Sequence, residues 1–262
     1  LTFPDLACYS AQDTTALLQA CPNLTYLDVR HKGPLRLPPD SSVDLRDLHT
    51  FRSGEIGLHL CIAPNLRHLT LTINVQNYGM IRLPQFLSLS PRIEYLHLDL
   101  SGYRTPDDLI FQFVPLTPNL VALEFTFRTV PDILTLNEMF EMFSHTGAST
   151  PTLPKLQHLT LNVLHPDDEC IPPLRYDPDV LLHMLESRCN HAQTFPDGAP
   201  TVAVLRSCTM SHEDYRGNLI HQSALSRGMD VKQRLEVLQE QGLVLGGNTF
   251  TSILNYHSLL SP

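Results

Sequence analysis

Pro64-Asn65-Leu66-Arg67-His68-Leu69-Thr70-Leu71-Thr72-Ile73 carries the pattern that organises the chain. Leu69 and Leu71 alternate on one face of a short strand, and His68, Thr70 and Thr72 alternate on the other. Leu66 turns in from the preceding segment to join the same apolar stack. One such unit cannot bury its hydrophobic side alone, whereas parallel copies stacked on one another can.

Related stretches recur along the chain, often introduced by Pro-Asn. They are Pro22-Asn23-Leu24 to Val29, Leu45-Arg46-Asp47-Leu48, Ile93 to Leu100, Leu120 to Phe127 and Leu156 to Val163, with a degenerate copy at Val202-Ala203-Val204-Leu205. Their first apolar positions are 24, 45, 66, 93, 120, 156 and 202, so successive spacings are 21, 21, 27, 27, 36 and 46 residues. A Leu-x-x-Leu-x-Leu motif at this period is the signature of a leucine-rich repeat. The predicted fold is therefore α/β: an irregular leucine-rich-repeat solenoid with a parallel concave sheet and helices or loops on the convex side. Residues 1–245 form the repeat domain, and 246–262 form a tail that is ordered only if Phe250, Ile253, Leu254 and Tyr256 pack back.

The pattern also places the connections. Ser10 or Asp13 caps a helix carrying Ala16, Leu17, Leu18 and Cys21. A second strand runs near Leu45 to Phe51, with Arg52-Ser53-Gly54 as the turn after it, and Leu58 to Ile62 closes one helical turn. Short helices are expected at Leu83–Leu89, after Thr105-Pro106, and around Leu136, Met139, Phe140 and Phe143. Asp177-Pro178-Asp179 opens a helix lined by Leu181, Leu182, Met184, Leu185 and Cys189. Val202 to Leu205 is the next strand and His212-Glu213-Asp214 a polar helix start. Val231, Leu235 and Leu238 share one face of a helix ended by Gly242, and Leu243-Val244-Leu245 is a last edge strand.

The outward strand positions form two columns on the predicted sheet. One is Tyr26, Asp47, His68, Tyr95, Ala122, His158 and Val204, and the next is Asp28, His49, Thr70, His97, Glu124, Thr160 and Arg206. A mixed aromatic, acidic, imidazole and hydroxyl surface suits recognition of a protein or peptide, and equally suits an ordinary solvated sheet face. Loops at 101–107 and 164–176 could add to it.

Composition narrows the partners. The formal charge is -9, with 18 basic against 27 acidic residues, which opposes nucleic acid or an anionic membrane as the partner. No apolar run reaches transmembrane length and no charged leader opens the chain, so a cytoplasmic or nuclear protein is expected. The six cysteines are irregularly spaced in a chain long enough to need no staples, which favours free thiols. Asn23-Leu24-Thr25 matches a glycosylation acceptor but coincides with the repeated Asn-Leu.

No motif calls for a cofactor, metal or catalytic centre. The histidines at 49, 68, 97 and 158 sit on successive copies because the repeat places them there. His212-Glu213 lacks the second histidine of a zinc helix, Gly246-Gly247 has no phosphate-binding Lys-Ser/Thr partner, and no nucleophile-elbow motif occurs.

The Pro-Asn-Leu strand starts, the irregular insertions and the terminal Arg234-Leu235-Glu236-Val237-Leu238-Gln239-Glu240-Gln241-Gly242-Leu243 resemble the leucine-rich-repeat portion of fungal F-box-like proteins, especially those of mushroom-forming fungi. The resemblance covers roughly residues 10–245. It implies a noncatalytic scaffold that recruits a substrate to an SCF-type ubiquitin ligase, with Skp1 bound through an upstream F-box. Leu1-Thr2-Phe3-Pro4-Asp5-Leu6 is too short and poorly matched to be that F-box. Only the substrate-binding half carries over, onto Tyr26, Asp28, Asp47, His49, His68, Thr70, Tyr95, His97, Glu124, His158 and Thr160.

Overall fold

The computed structural model describes residues 2–3, 11–29, 42–54, 58, 61–74, 83–101, 112–128, 131, 133–145, 152–165, 176–189, 202–214 and 228–255. They are α/β and fall into two compact units, Leu1–Leu120 and Val121–Pro262.

In the first unit a parallel sheet runs in the order β1 (Thr2–Phe3), β2 (Tyr26–Val29), β4 (Thr50–Gly54), β6 (His68–Asn74) and β7 (Tyr95–Ser101). The short strands β3 (Val43–Asp44) and β5 (Cys61–Ile62) pair separately, Val43 with Cys61 and Asp44 with Ile62. Helix α1 (Ala11–Gln19) precedes β2, and α2 (Leu83–Ser88) lies between β6 and β7. Leu27, Phe51, Leu69, Leu71, Leu96 and Leu98 are fully buried on one side of the sheet. Phe86 of α2 meets Phe51 there, ring centroids 6.0 Å apart, so α2 lies on the leucine side.

The first apolar residue of each copy is drawn inward by the same tight turn. The N–H groups of Leu24, Leu48, Leu66, Ile93 and Leu120 donate to the carbonyls of Cys21, Leu45, Ala63, Ser90 and Thr117, each three residues back. Leu156 does the same onto Leu153 in the second unit. The recurrent asparagine also has a job: Asn65 Nδ2 donates to the Arg46 carbonyl at 2.9 Å and Asn119 Nδ2 to the Pro91 carbonyl at 2.8 Å. These two Pro-Asn turns are thereby each tied to the turn of the copy before, satisfying a carbonyl that the strand ladder leaves out.

This turn explains where the sequence reading slipped. Leu45 is the turn-opening residue, equivalent to Ala63 and Ser90, and Leu48 is the true first leucine. The second copy reads Leu48-x-x-Phe51-x-Ser53, and Arg52-Ser53-Gly54 is strand rather than turn. Leu45 and Leu48 are both fully buried, so a leucine at the turn-opening position imitates the start of the motif. Leu58 does lie in a helical turn, but Cys61–Ile62 is strand and not its close.

The second unit has a parallel sheet in the order β8 (Ala122–Phe127), β9 (His158–His165), β10 (Ser207–Asp214) and β11 (Val244–Gly246). Its helices are α3 (Ile133–Phe143), α4 (Pro178–Cys189), α5 (Gly228–Glu240) and α6 (Gly247–Asn255). The same slip recurs here. Val202 and Leu205 are buried but precede the strand, whose pattern is Leu205-x-x-Cys208-x-Met210. His212 is fully buried in β10, so His212-Glu213-Asp214 is not a helix start.

Helix assignments fare better. Leu136, Met139, Phe140 and Phe143 of α3 and Leu181, Leu182, Met184 and Leu185 of α4 are all buried. Asp177 Oδ1 accepts the Asp179 N–H at 3.0 Å and caps α4. Arg234 of α5 holds both carboxylate oxygens of Glu186 on α4, at 2.7 and 2.8 Å, a fork-to-fork geometry that fixes how the two helices stack. Gly242, at φ +98°, ends the α5 segment.

Arg188 went unnoticed in the sequence. Its side chain is 1% exposed and donates to the carbonyls of Phe143 (2.7 Å), Leu153 (2.9 Å) and Thr152. It closes the C-terminal end of α3 and ties down the turn where Leu153 adopts φ +52°. Burial lowers its pKa to about 10. It falls three and four residues after Leu185 and Met184, on the apolar side of α4, and that placement was the available signal.

Residues 247–255 are packed. Gly247 adopts φ +84°, and a Cβ there would stand 2.1 Å from the Met210 carbonyl oxygen, so only glycine lets the chain leave β11 and start α6. Phe250 and Ile253 are buried and Leu254 is half-buried. Asn248 donates to the His212 carbonyl (2.7 Å) and accepts its N–H (2.9 Å), standing in for a strand residue along the edge of β10 that β11 is too short to cover. Tyr256, the helix after Thr105 as far as Phe111, and the loop from 166 to 175 lie outside the described residues.

Candidate recognition face

On the first unit, strand register aligns the polar side chains in rows. Tyr26, Thr50, His68 and Tyr95 form one row, Asp28, Arg52, Thr70 and His97 the next, and Gly54, Thr72 and Asp99 a third. Neighbours within a row are roughly 5 Å apart between strands. Tyr26, His68, Thr70, Tyr95, His97 and Asp28 therefore stand in the columns expected of them. Asp47 and His49 do not: Asp47 lies in the turn before β4, and His49 sits just ahead of the strand. The His49 carbonyl accepts the N–H groups of both Arg67 and His68, as the Thr25 carbonyl does for His49 and Thr50. Thr50 and Arg52 hold the two places instead.

The exchange alters the chemistry of the surface. A carboxylate and an imidazole are replaced by a hydroxyl and a guanidinium. Arg52 is exposed, and among the described residues neither a hydrogen bond nor an ion pair holds it. Asp28, its neighbour in the row, is only 4% exposed. The His68 and Tyr95 rings lie against each other with centroids 5.9 Å apart and planes tilted by 37°. Arg67 and Glu94, at the starts of the same two strands, approach to 3.6 Å and offset one another's charge.

On the second unit the rows are Ala122, His158, Ser207 and Val244, then Glu124, Thr160, Thr209 and Gly246, then Thr126, Asn162 and Ser211. Ala122, Glu124, His158 and Thr160 keep the expected places, whereas Ser207 and Thr209 replace Val204 and Arg206. His158 Nδ1 lies 2.8 Å from Ser207 Oγ, and Asn162 Nδ2 donates to Glu124 Oε1 at 3.3 Å. These rows carry hydroxyls, one amide, one imidazole and one carboxylate, without the guanidinium that Arg206 would have brought.

The described cysteines are free thiols. Burial raises Cys61 and Cys208 to about 12 and Cys189 to about 11, so they are poor nucleophiles at neutral pH. Cys8 and Cys170 lie outside the described residues. Among the described residues no group of three His, Cys, Asp or Glu converges as a metal site, and no helix is long and apolar enough to cross a membrane.

No protein-family model, no curated protein and no solved structure matches the chain.

Proposed function

We propose that this chain is a noncatalytic recognition scaffold of the irregular leucine-rich-repeat type, whose polar sheet face binds a protein or peptide. The observation that carries the reading is the first unit's set of in-register rows. They array two tyrosines, two histidines, three threonines, two aspartates and a guanidinium over an apolar side that the core fully buries. A preformed surface of this kind loses little entropy on binding, and its aromatic residues can act as anchors. The Pro-Asn ties between successive turns support the repeat architecture.

Within this reading the scaffold is the substrate-recruiting part of an SCF-type adaptor, and Skp1 joins only through an F-box upstream in the gene product. A self-standing binding or assembly module is the alternative. The test is affinity capture from native extract with the wild type and the Tyr95→Ala/His97→Ala variant side by side. Partners lost from the variant, with its melting transition intact, support the face. A set of partners unchanged by the double substitution refutes it. Skp1 and cullin among the partners of an F-box-bearing gene product separate the adaptor from the self-standing module.

A further inference from the structure

We infer that Arg52 makes the first unit's face a receptor for an acidic side chain on an extended peptide. This rests on the recognition reading above and narrows it to one class of partner. The register places Arg52 in the middle of the sheet, in a row with Asp28, Thr70 and His97. Its guanidinium is exposed and unheld among the described residues, while the adjacent Asp28 is withdrawn from solvent. The other acid on these rows, Asp99, stands two strands away in the third row, roughly 10 Å across the sheet.

The surroundings suit a carboxylate. Gly54 follows Arg52 on the same side of β4 and carries no side chain, which leaves a shallow notch one residue wide beside Thr72. A Cβ at Gly54 would meet the Thr72 carbonyl oxygen at 3.7 Å, ordinary contact, so the notch is not forced by backbone crowding. Thr70 is the in-register neighbour of Arg52 on β6, and the tilted His68–Tyr95 ring pair in the preceding row offers aromatic surface for a neighbouring side chain. A guanidinium takes a carboxylate through two parallel hydrogen bonds, which sets orientation as well as attraction. The overall charge of -9 slows the approach of an acidic ligand. At contact it matters less than Arg52 itself, since charges more than about 10 Å away are screened at physiological salt.

The experiment sorts a bead library of random ten-residue peptides on the whole chain, wild type and Arg52→Glu in parallel, with Arg52→Gln and Gly54→Val measured on the peptides recovered. Thermal melting first establishes that each variant folds. The expected wild-type pool is enriched in Asp and Glu at one central position. Recovered peptides should bind Arg52→Gln and Gly54→Val at least about tenfold more weakly, and Arg52→Glu should select Lys or Arg at that position instead. A wild-type pool with no acidic preference, whose binding is nonetheless lost in Tyr95→Ala/His97→Ala, overturns the role of Arg52 and leaves the recognition face standing. Failure to enrich any pool overturns both.

Discussion

Ser207 Oγ stands 2.8 Å from His158 Nδ1 across the boundary between β9 and β10, a contact that exists only because β10 begins three residues later than its apolar pattern suggests. The register makes a quantitative claim. In a double-mutant cycle, His158→Ala and Ser207→Ala are expected to couple by about 0.5 kcal/mol. His158→Ala and Val204→Ala should be additive within error in urea melts. A cycle with the two couplings reversed would restore the earlier register.

Leu69 on β6 and Leu96 on β7 stand side by side in register on the first unit's apolar side, both fully buried. Truncating either to alanine is expected to cost about 2 to 5 kcal/mol through lost transfer energy and the cavity left behind. Leu134, 67% exposed on α3, is the control: Leu134→Ala should stay within about 0.5 kcal/mol of the wild type. Equal midpoints for all three in chemical denaturation would disprove the assignment of faces.

Arg188 closes three carbonyls at once. Arg188→Met keeps much of the packing volume but leaves those oxygens without their donor, a loss expected to reach about 3 kcal/mol. Arg188→Lys, with a single ammonium to share among them, should recover part of it. Hydrogen exchange at the end of α3 and around Leu153 locates the damage; uniform acceleration elsewhere, with that region spared, would contradict the role.

Alkaline pH should destabilise the fold in a defined window. Folded Cys61 and Cys208 hold their protons to about 12, against 9.0 for a free thiol, so the unfolded chain releases them first. Their contribution is complete below about pH 9 and falls as pH rises towards 12. Arg188 works in the opposite sense above about pH 10, where the unfolded chain binds the proton more tightly. The clean interval is therefore pH 9 to 10. The urea midpoint should fall across it, and Cys61→Ala/Cys208→Ala should flatten the slope.

Strong copies of the repeat could be read almost residue by residue. At Leu24, Leu66, Ile93 and Leu156 the apolar residues at the first, fourth and sixth positions have one alignment, and the strands follow it. The copies at Leu48 and Leu205 could not be read so easily, because Leu45 and Val202 stand three residues earlier and are themselves buried. Hydrophobicity reports burial and not whether the buried residue lies in a turn or in a strand. Asp47 and His49 entered the candidate face through that ambiguity, and Thr50 and Arg52 were displaced from it. Arg188 escaped notice for the converse reason: a charged residue inside an apolar pattern shows no sign of the three carbonyls that accept it.

By itself the sequence determined the alternation of parallel strands with helices, the side of each strong strand that is buried, the starts of α2 and α4 and the glycine stop after α5. These follow from local periodicity, capping residues and glycine or proline geometry. Tertiary structure alone decided the register of the weak strands, the packing of residues 247–255 through Gly247 and Asn248, and the appearance of a bare guanidinium on the first unit's face. Each depends on contacts between residues distant in sequence, as when the His49 carbonyl receives Arg67 and His68 or the Asn248 amide pairs with the His212 backbone. A three-residue shift preserves much of the hydrophobic pattern while changing which polar groups stand side by side, and only pairing with the neighbouring strands selects between the two alignments.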